Sequence, residues 1–155
     1  TCSTTSTSSW ARMAQSCSNI IAVKEASGNV AQMMDVIEQL PKTFSVVSGD
    51  DNLTLPLMSL GGRGVISVVS NLIPKKVSDM CAAALKGDFA AARKLHFEML
   101  PLFKAAFIET NPIPIKAAMS LAGLPAGQVR MPLCEMQPAN LEKLKAALQR
   151  MGVVK

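Results

Sequence analysis

The chain reads as an α/β protein, three βα units of a parallel sheet followed by helices alone. Two observations give the sheet. Short runs rich in β-branched residues stand at 20–24, 44–48 and 65–69, and helical periodicity separates them. Strands alternating with helices at that spacing form βαβ units with parallel strands. A third observation gives the rest: after Asn71 the β-type runs stop, and apolar residues recur at helical spacing only.

Thr1 to Ser9 is a Ser/Thr-rich stretch without acidic residues. It is expected to be a frayed leader, faintly similar to a transit peptide. Ser9 is placed to cap a helix in which Trp10, Met13, Ala14 and Cys17 share one face. In the first strand Ile20, Ala22 and Lys24 point one way, Ile21 and Val23 the other. Both faces are apolar, which predicts a strand covered on both sides.

Val30, Met33, Met34, Ile37 and Leu40 then mark a helix closed by Pro41. Strand 44–48 leads through Gly49-Asp-Asp51 to a short helix over 52–60, which ends at Gly61-Gly62 ahead of strand 65–69. Further helices are predicted at 74–86, 88–109, 113–122 and 139–151. Pro74 suits a first turn, Gly87 an end and Asp88 a cap. Pro112 and Pro114 are expected to bracket a rigid extended step. The last helix is amphipathic, a stripe suited to packing or a subunit contact rather than to a membrane.

Composition narrows the functional classes. Of 155 residues 49% are hydrophobic and 17% charged, a composition that builds a packed core. The net charge of +5 is scattered, and five Phe, one Trp and no Tyr give little to stack on bases, so no nucleic-acid partner is expected. Cys2, Cys17, Cys81 and Cys134 are far apart and His96 stands alone, so neither a metal site nor a cofactor is indicated. Reduced thiols fit a cytoplasmic protein. No apolar run is long enough to cross a membrane. Asn52-Leu-Thr54 is a formal glycosylation sequon with no other sign of secretion.

Lys24 is the residue that calls for chemistry. An ammonium inside Asn19-Ile-Ile-Ala-Val-Lys-Glu-Ala-Ser27 either snorkels from a strand end or is desolvated. Desolvation favours the neutral amine, the form that attacks a carbonyl to give a Schiff base. The residues alone leave both open. Three parallel strands leave two open edges, which points to part of a larger sheet. A (β/α)8 barrel carries its chemistry at the carboxyl ends of its strands, and Lys24, Gly49, Ser70 and Asn71 are expected to lie at or just beyond those ends. Glu25 should face away from Lys24, and Asp50 and Asp51 are read as turn residues.

Four motifs then occur in order: Val23-Lys-Glu-Ala-Ser-Gly28, Ser48-Gly-Asp-Asp51, Gly61-Gly-Arg-Gly-Val-Ile-Ser-Val68 and Asn111-Pro-Ile-Pro-Ile-Lys116. Together they resemble the carboxyl-terminal half of the dihydrodipicolinate synthase family, from about residue 10 to the end. The resemblance implies a partial (β/α)8 TIM barrel, about its last three βα units, over residues 10–73. The last barrel helix and a helical carboxyl-terminal extension would occupy 74–155, and residues 1–9 would be a leader outside the family.

The resemblance also implies chemistry. Lys24 matches the lysine that forms a Schiff base with pyruvate, Gly49 a position whose backbone carbonyl faces the active site, and Ile66 a position whose backbone contacts bound pyruvate. The second substrate would be L-aspartate 4-semialdehyde, the cofactor none, and the assembly a homo-oligomer. The family's amino-terminal half supplies paired threonines, a proton-relaying tyrosine and a carboxylate-binding arginine. This chain holds no tyrosine, so it is expected to be a fragment with little or no activity of its own. Two alternatives remain: another pyruvate-dependent aldolase such as N-acetylneuraminate lyase, and a catalytically dead half-barrel that associates with itself.

Overall fold

The β-branched runs pair as a parallel sheet. In a computed structural model that describes residues 7–154, β1 (Ala22–Glu25), β2 (Ser45–Ser48) and β3 (Gly64–Val65) lie in the order β1-β2-β3. Lys24 stands opposite Val47, Glu25 opposite Ser48, and Ser48 opposite Val65. Around and after the sheet come α1 (Thr7–Ser16), α2 (Val30–Gln39), α3 (Thr54–Ser59), α4 (Pro74–Leu85), α5 (Phe89–Ala105), α6 (Ile113–Leu121) and α7 (Pro138–Arg150). Two 3-10 turns, Asp51–Leu53 and Val69–Asn71, follow β2 and β3. None of the described helices is long and apolar enough to cross a membrane.

The chain divides into two compact units. The first holds the described residues up to Ser67 together with Cys81–Ala92. Its core is Val23, Met33, Val36, Leu40, Val46 and Leu57, with Trp10, Ala14, Ile37, Phe44 and Leu53 packed around it. α2 starts where Asn29 Oδ1 accepts the N–H groups of Ala31 (3.0 Å) and Gln32 (3.3 Å), satisfying two first-turn donors. α4 closes on a Schellman motif: Gly87 has φ +81°, its N–H bonds Ala84 O and that of Asp88 bonds Ala83 O. Asp88 Oδ1 then caps α5 at Ala91 N–H (2.9 Å), so both signals read from the sequence hold.

Val68–Met80 and Arg93–Lys155 make the second unit. Here α6 packs on α7 and on the Val69–Asn71 turn, and Leu102, Phe103, Ile115, Ala118, Leu144 and Leu148 are buried. The apolar stripe of α7 is therefore internal packing. Glu109 Oε1 accepts both Gln137 N–H (3.0 Å) and Asn140 Nδ2 (2.8 Å) at the start of α7. Lys116 Nζ donates to Gln128 O (2.7 Å), tying the segment before α7 to α6.

Four sequence expectations need correction. Strand 65–69 shrinks to Gly64–Val65. Ile66 N–H still reaches Ser48 O (2.8 Å), but the next β2 residue on that side, Asp50, has its N–H on Ser48 Oγ and its carbonyl on Ser48 Oγ and Thr54 Oγ1, so β2 offers later residues no ladder and the strand ends. Ser70 and Asn71 consequently stand farther beyond the strand end than expected, in a 3-10 turn. Ser9 lies inside α1, which begins by Thr7, and is not its cap. Pro112 and Pro114 do not bracket an extended step: Pro114 sits in the first turn of α6, where its missing N–H costs nothing. The leader expected over residues 1–9 falls, for its first six, outside the described residues.

Candidate active site

β1 sorts its charges by face. Val23 and Glu25 are buried, Ala22 and Lys24 exposed. The prediction that Glu25 turns away from Lys24 therefore holds, while the prediction of two covered faces does not. The reason is in the core: α1, α2 and α3 contribute their apolar residues to the Val23 side, and the Lys24 side of β1 has no such cover. The apolar, desolvated surroundings expected for Lys24 are not provided by this face.

Gly49 fits against the lysine stem. It is buried, and a Cβ built there would come within 2.8 Å of Lys24 Cε and closer still to Ala26 Cβ. No side chain can occupy that position while Lys24 keeps its path along the sheet. Gly49 N–H is fixed to Glu25 O at 2.6 Å, which places the turn after β2 beside the end of β1. Ile66 is 54% exposed, and its N–H is held by Ser48 O.

Sequence reasoning passed over the polar groups that shape this end of the sheet. Ser48 Oγ donates to Asp50 O (2.8 Å) and accepts Asp50 N–H (3.1 Å), and Thr54 Oγ1 donates to the same carbonyl (3.2 Å). Asp51, read as a turn residue, is 1% exposed, and its Oδ1 accepts the hydroxyl of Ser67. Glu25 is 5% exposed; its Oε1 accepts Ser27 N–H (3.0 Å) and Gln32 Nε2 (3.4 Å), while Oε2 has no hydrogen-bond partner. Burial pushes the Asp50 carboxyl above the usual range, the Glu25 and Asp51 charges push further, and Lys24 opposes them. The lysine thus acts electrostatically on Asp50. The one signal in the sequence was the Asp pair after Ser48-Gly49; nothing there distinguishes a buried aspartate from a solvated turn.

Among the described residues no cluster of His, Cys, Asp and Glu could hold a metal ion. His96 is buried in α5 against Phe97 and Phe103. Lys24, Gly49 and Ile66 all belong to the sheet-bearing unit, on β1, just after β2 and just after β3. An amine on an open face, with backbone groups beside it, can receive a small carbonyl compound.

Comparison with known proteins points the same way. The 4-hydroxy-tetrahydrodipicolinate synthase of Methanosarcina mazei is 53% identical over 137 residues, 88% of this chain and 47% of its own length. That of Aquifex aeolicus is 45% identical over 150 residues, 97% of this chain and 51% of its own. The chain thus spans about half the length of the curated relatives it matches. The crystal structure of dihydrodipicolinate synthase from Aquifex aeolicus has a TM-score of 0.92 at 44% identity, covering 96% of this chain and 50% of that one. The corresponding structure from Thermotoga maritima gives a TM-score of 0.92 at 37% identity, with 96% and 51% covered. A family model described as the dihydrodipicolinate synthetase family matches residues 1–151, and this chain belongs to that family.

Proposed function

We propose that the chain supplies the Schiff-base portion of a 4-hydroxy-tetrahydrodipicolinate synthase, a lyase of L-lysine biosynthesis built on a (β/α)8 barrel of which β1 to β3 are a part. The observation that carries this reading is Lys24 standing on a strand with Gly49 shaped around its stem. The synthase relatives support it over a sialic acid lyase.

In this reading the neutral Lys24 amine attacks C2 of pyruvate, a C–N bond forms, and water leaves to give a protonated imine. Loss of a C3 proton yields the enamine. Its C3 then bonds the aldehyde carbon of L-aspartate 4-semialdehyde, whose oxygen takes up a proton. The amino group of that substrate next attacks the imine carbon and displaces Lys24, closing the ring and freeing the lysine. Groups outside these 155 residues complete the desolvation of Lys24 and supply the proton relay, since the chain has no tyrosine. The three described cysteines are free thiols, in keeping with a cytoplasmic protein, and the open strand edges favour a homo-oligomer.

Borohydride trapping with pyruvate, followed by intact-mass analysis and peptide mapping, tests the reading. One reduced adduct on Lys24, lost in Lys24→Ala, is the expected outcome. An adduct that persists in Lys24→Ala would remove the assignment. A second reading, a self-associating chain without activity, draws on the exposure of Ile21 at 72% and Ile66 at 54% beside β1 and β3. A folded sample that traps no pyruvate and sediments as an oligomer would favour it.

A further inference from the structure

We propose that Asp51 is a positioning residue for pyruvate, holding the Ile66 backbone in its receiving conformation through the hydrogen bond to Ser67. The proposal rests on the reading of Lys24 as the pyruvate-binding amine.

The end of β3 explains why such a residue is needed. A strand that ran through 65–69 would hold Ile66 in its ladder, but β3 stops at Val65. Ile66 keeps one backbone bond, its N–H to Ser48 O, and has no strand pairing beyond it. The next residue, Ser67, turns its hydroxyl to Asp51 Oδ1. The backbone at Ile66 is therefore fixed from both sides by the segment that follows Val47: Ser48 O on one side and Asp51 on the other. That same segment contains Gly49, which lies against Lys24. One short stretch, Ser48 to Asp51, thus registers the lysine stem and the Ile66 backbone to each other.

Asp51 is buried more deeply than a turn position requires. At 1% exposure a carboxylate is costly unless bonded, and a turn residue needs no burial. Its charge also reaches Cys81, whose thiol is pushed up first by burial and then by Asp51. The bond to Ser67 joins the turn after β2 to the segment after β3. A buried group that joins two segments sets their spacing more sharply than a solvent-facing turn aspartate does.

The test uses the full 155-residue chain as Asp51→Ala, Asp51→Asn, Ser67→Ala and the Asp51→Ala/Ser67→Ala double variant. The readouts are the pyruvate concentration that half-saturates borohydride-trapped adduct, the maximum adduct, and hydrogen exchange at the Ile66 and Ser67 amides. Asp51→Ala should raise half-saturating pyruvate about tenfold, the effect of leaving one buried partner unpaired, with the maximum unchanged. Asp51→Asn, which keeps an acceptor oxygen, should restore most of the loss. Ser67→Ala removes the donor of the same bond, should reproduce the shift and serves if Asp51→Ala fails to fold, and the double variant should add little to it.

A lower melting temperature with unchanged half-saturation would mean a purely structural aspartate and would overturn the proposal. If the unmodified chain traps no pyruvate, the Lys24 reading fails on its own account, and exchange then decides the positioning role. Faster exchange at Ile66 and Ser67 in Ser67→Ala supports the clamp, and unchanged exchange overturns it.

Discussion

In the sheet-bearing unit the buried polar residues Glu25, Ser48, Asp51 and Thr54 gather at or just beyond the carboxyl ends of β1 and β2. Among the described residues of the helical unit the buried polar one is His96, set against the rings of Phe97 and Phe103 with Nδ1 unpaired. The first group is cross-linked: Ser48 to Asp50, Thr54 to Asp50, Ser67 to Asp51, and Glu25 to Ser27 and Gln32. The second is solitary. A connected set of buried polar groups fixes the geometry of its neighbours, whereas a lone one contributes packing and gives up hydrogen-bond energy. The contrast sets a braced sheet end, where the proposed Lys24 site stands, against a singly buried group in the helices.

Substitutions sharpen the contrast in order of size. Gly49→Ala should have the largest effect of those at the sheet end. Its Cβ would strike Lys24 Cε and Ala26 Cβ, an overpacking worth about 1–3 kcal/mol. Denaturant titration should read that loss, and the rate of trapped pyruvate adduct should fall at least about tenfold, because displacement of a reacting group by roughly 1 Å is enough for that. A Gly49→Ala chain with unaltered trapping would break the link between this glycine and the lysine.

Glu25→Ala comes next. It strips the acceptor from Ser27 N–H and Gln32 Nε2, an expected destabilisation of about 1–3 kcal/mol, measured by the same titration. Glu25→Gln should cost less, since it keeps an acceptor oxygen and Oε2 has no bond to lose.

His96 should show the smallest effect, and one confined to acid. Burial lowers its pKa, so as pH falls below about 6.5 the unfolded chain binds the proton before the folded one does. Stability therefore falls in that window, and the loss is complete once pH is below the lowered folded value. The raised Asp50 carboxyl works in the opposite sense: its contribution is present at acid pH and is lost as pH rises through its folded value. The difference between the unmodified chain and His96→Phe isolates the imidazole. Melting temperatures should differ least at pH 8 and diverge toward pH 5, where the unmodified chain falls relative to His96→Phe; equal slopes in both chains would remove the histidine as a cause.

Much of this architecture was legible in the residues. β-branched runs gave three parallel strands, and Gly87 and Asp88 marked the junction of α4 and α5, because caps and turns are decided locally. Topology put Lys24 and Gly49 at the ends of successive strands, but the close fit of the glycine against the lysine stem was not readable there. What stayed hidden depends on distant partners. Ile66 to Val69 are good strand formers, but β2 had run out of free ladder positions. Ile20 and Ala22 made the Lys24 face apolar, yet apolarity does not state what covers a face. Asp51 looked like its neighbour Asp50; only Ser67, sixteen positions on, separates a buried anchor from a solvated turn.

The clasp on the last helix has its own consequence. The start of α7 is held by Glu109, from before α6, and Lys116 grips the backbone at Gln128. Between those two grips, Arg130 to Met136 carries exposed Arg130, Met131, Pro132, Cys134 and Glu135, and the helix beyond does not rely on it for its first turn. This is a natural graft point: a peptide tag or a small reporter spliced there would hang from a loop whose two ends are already anchored, leaving Lys24 and its strand undisturbed in sequence.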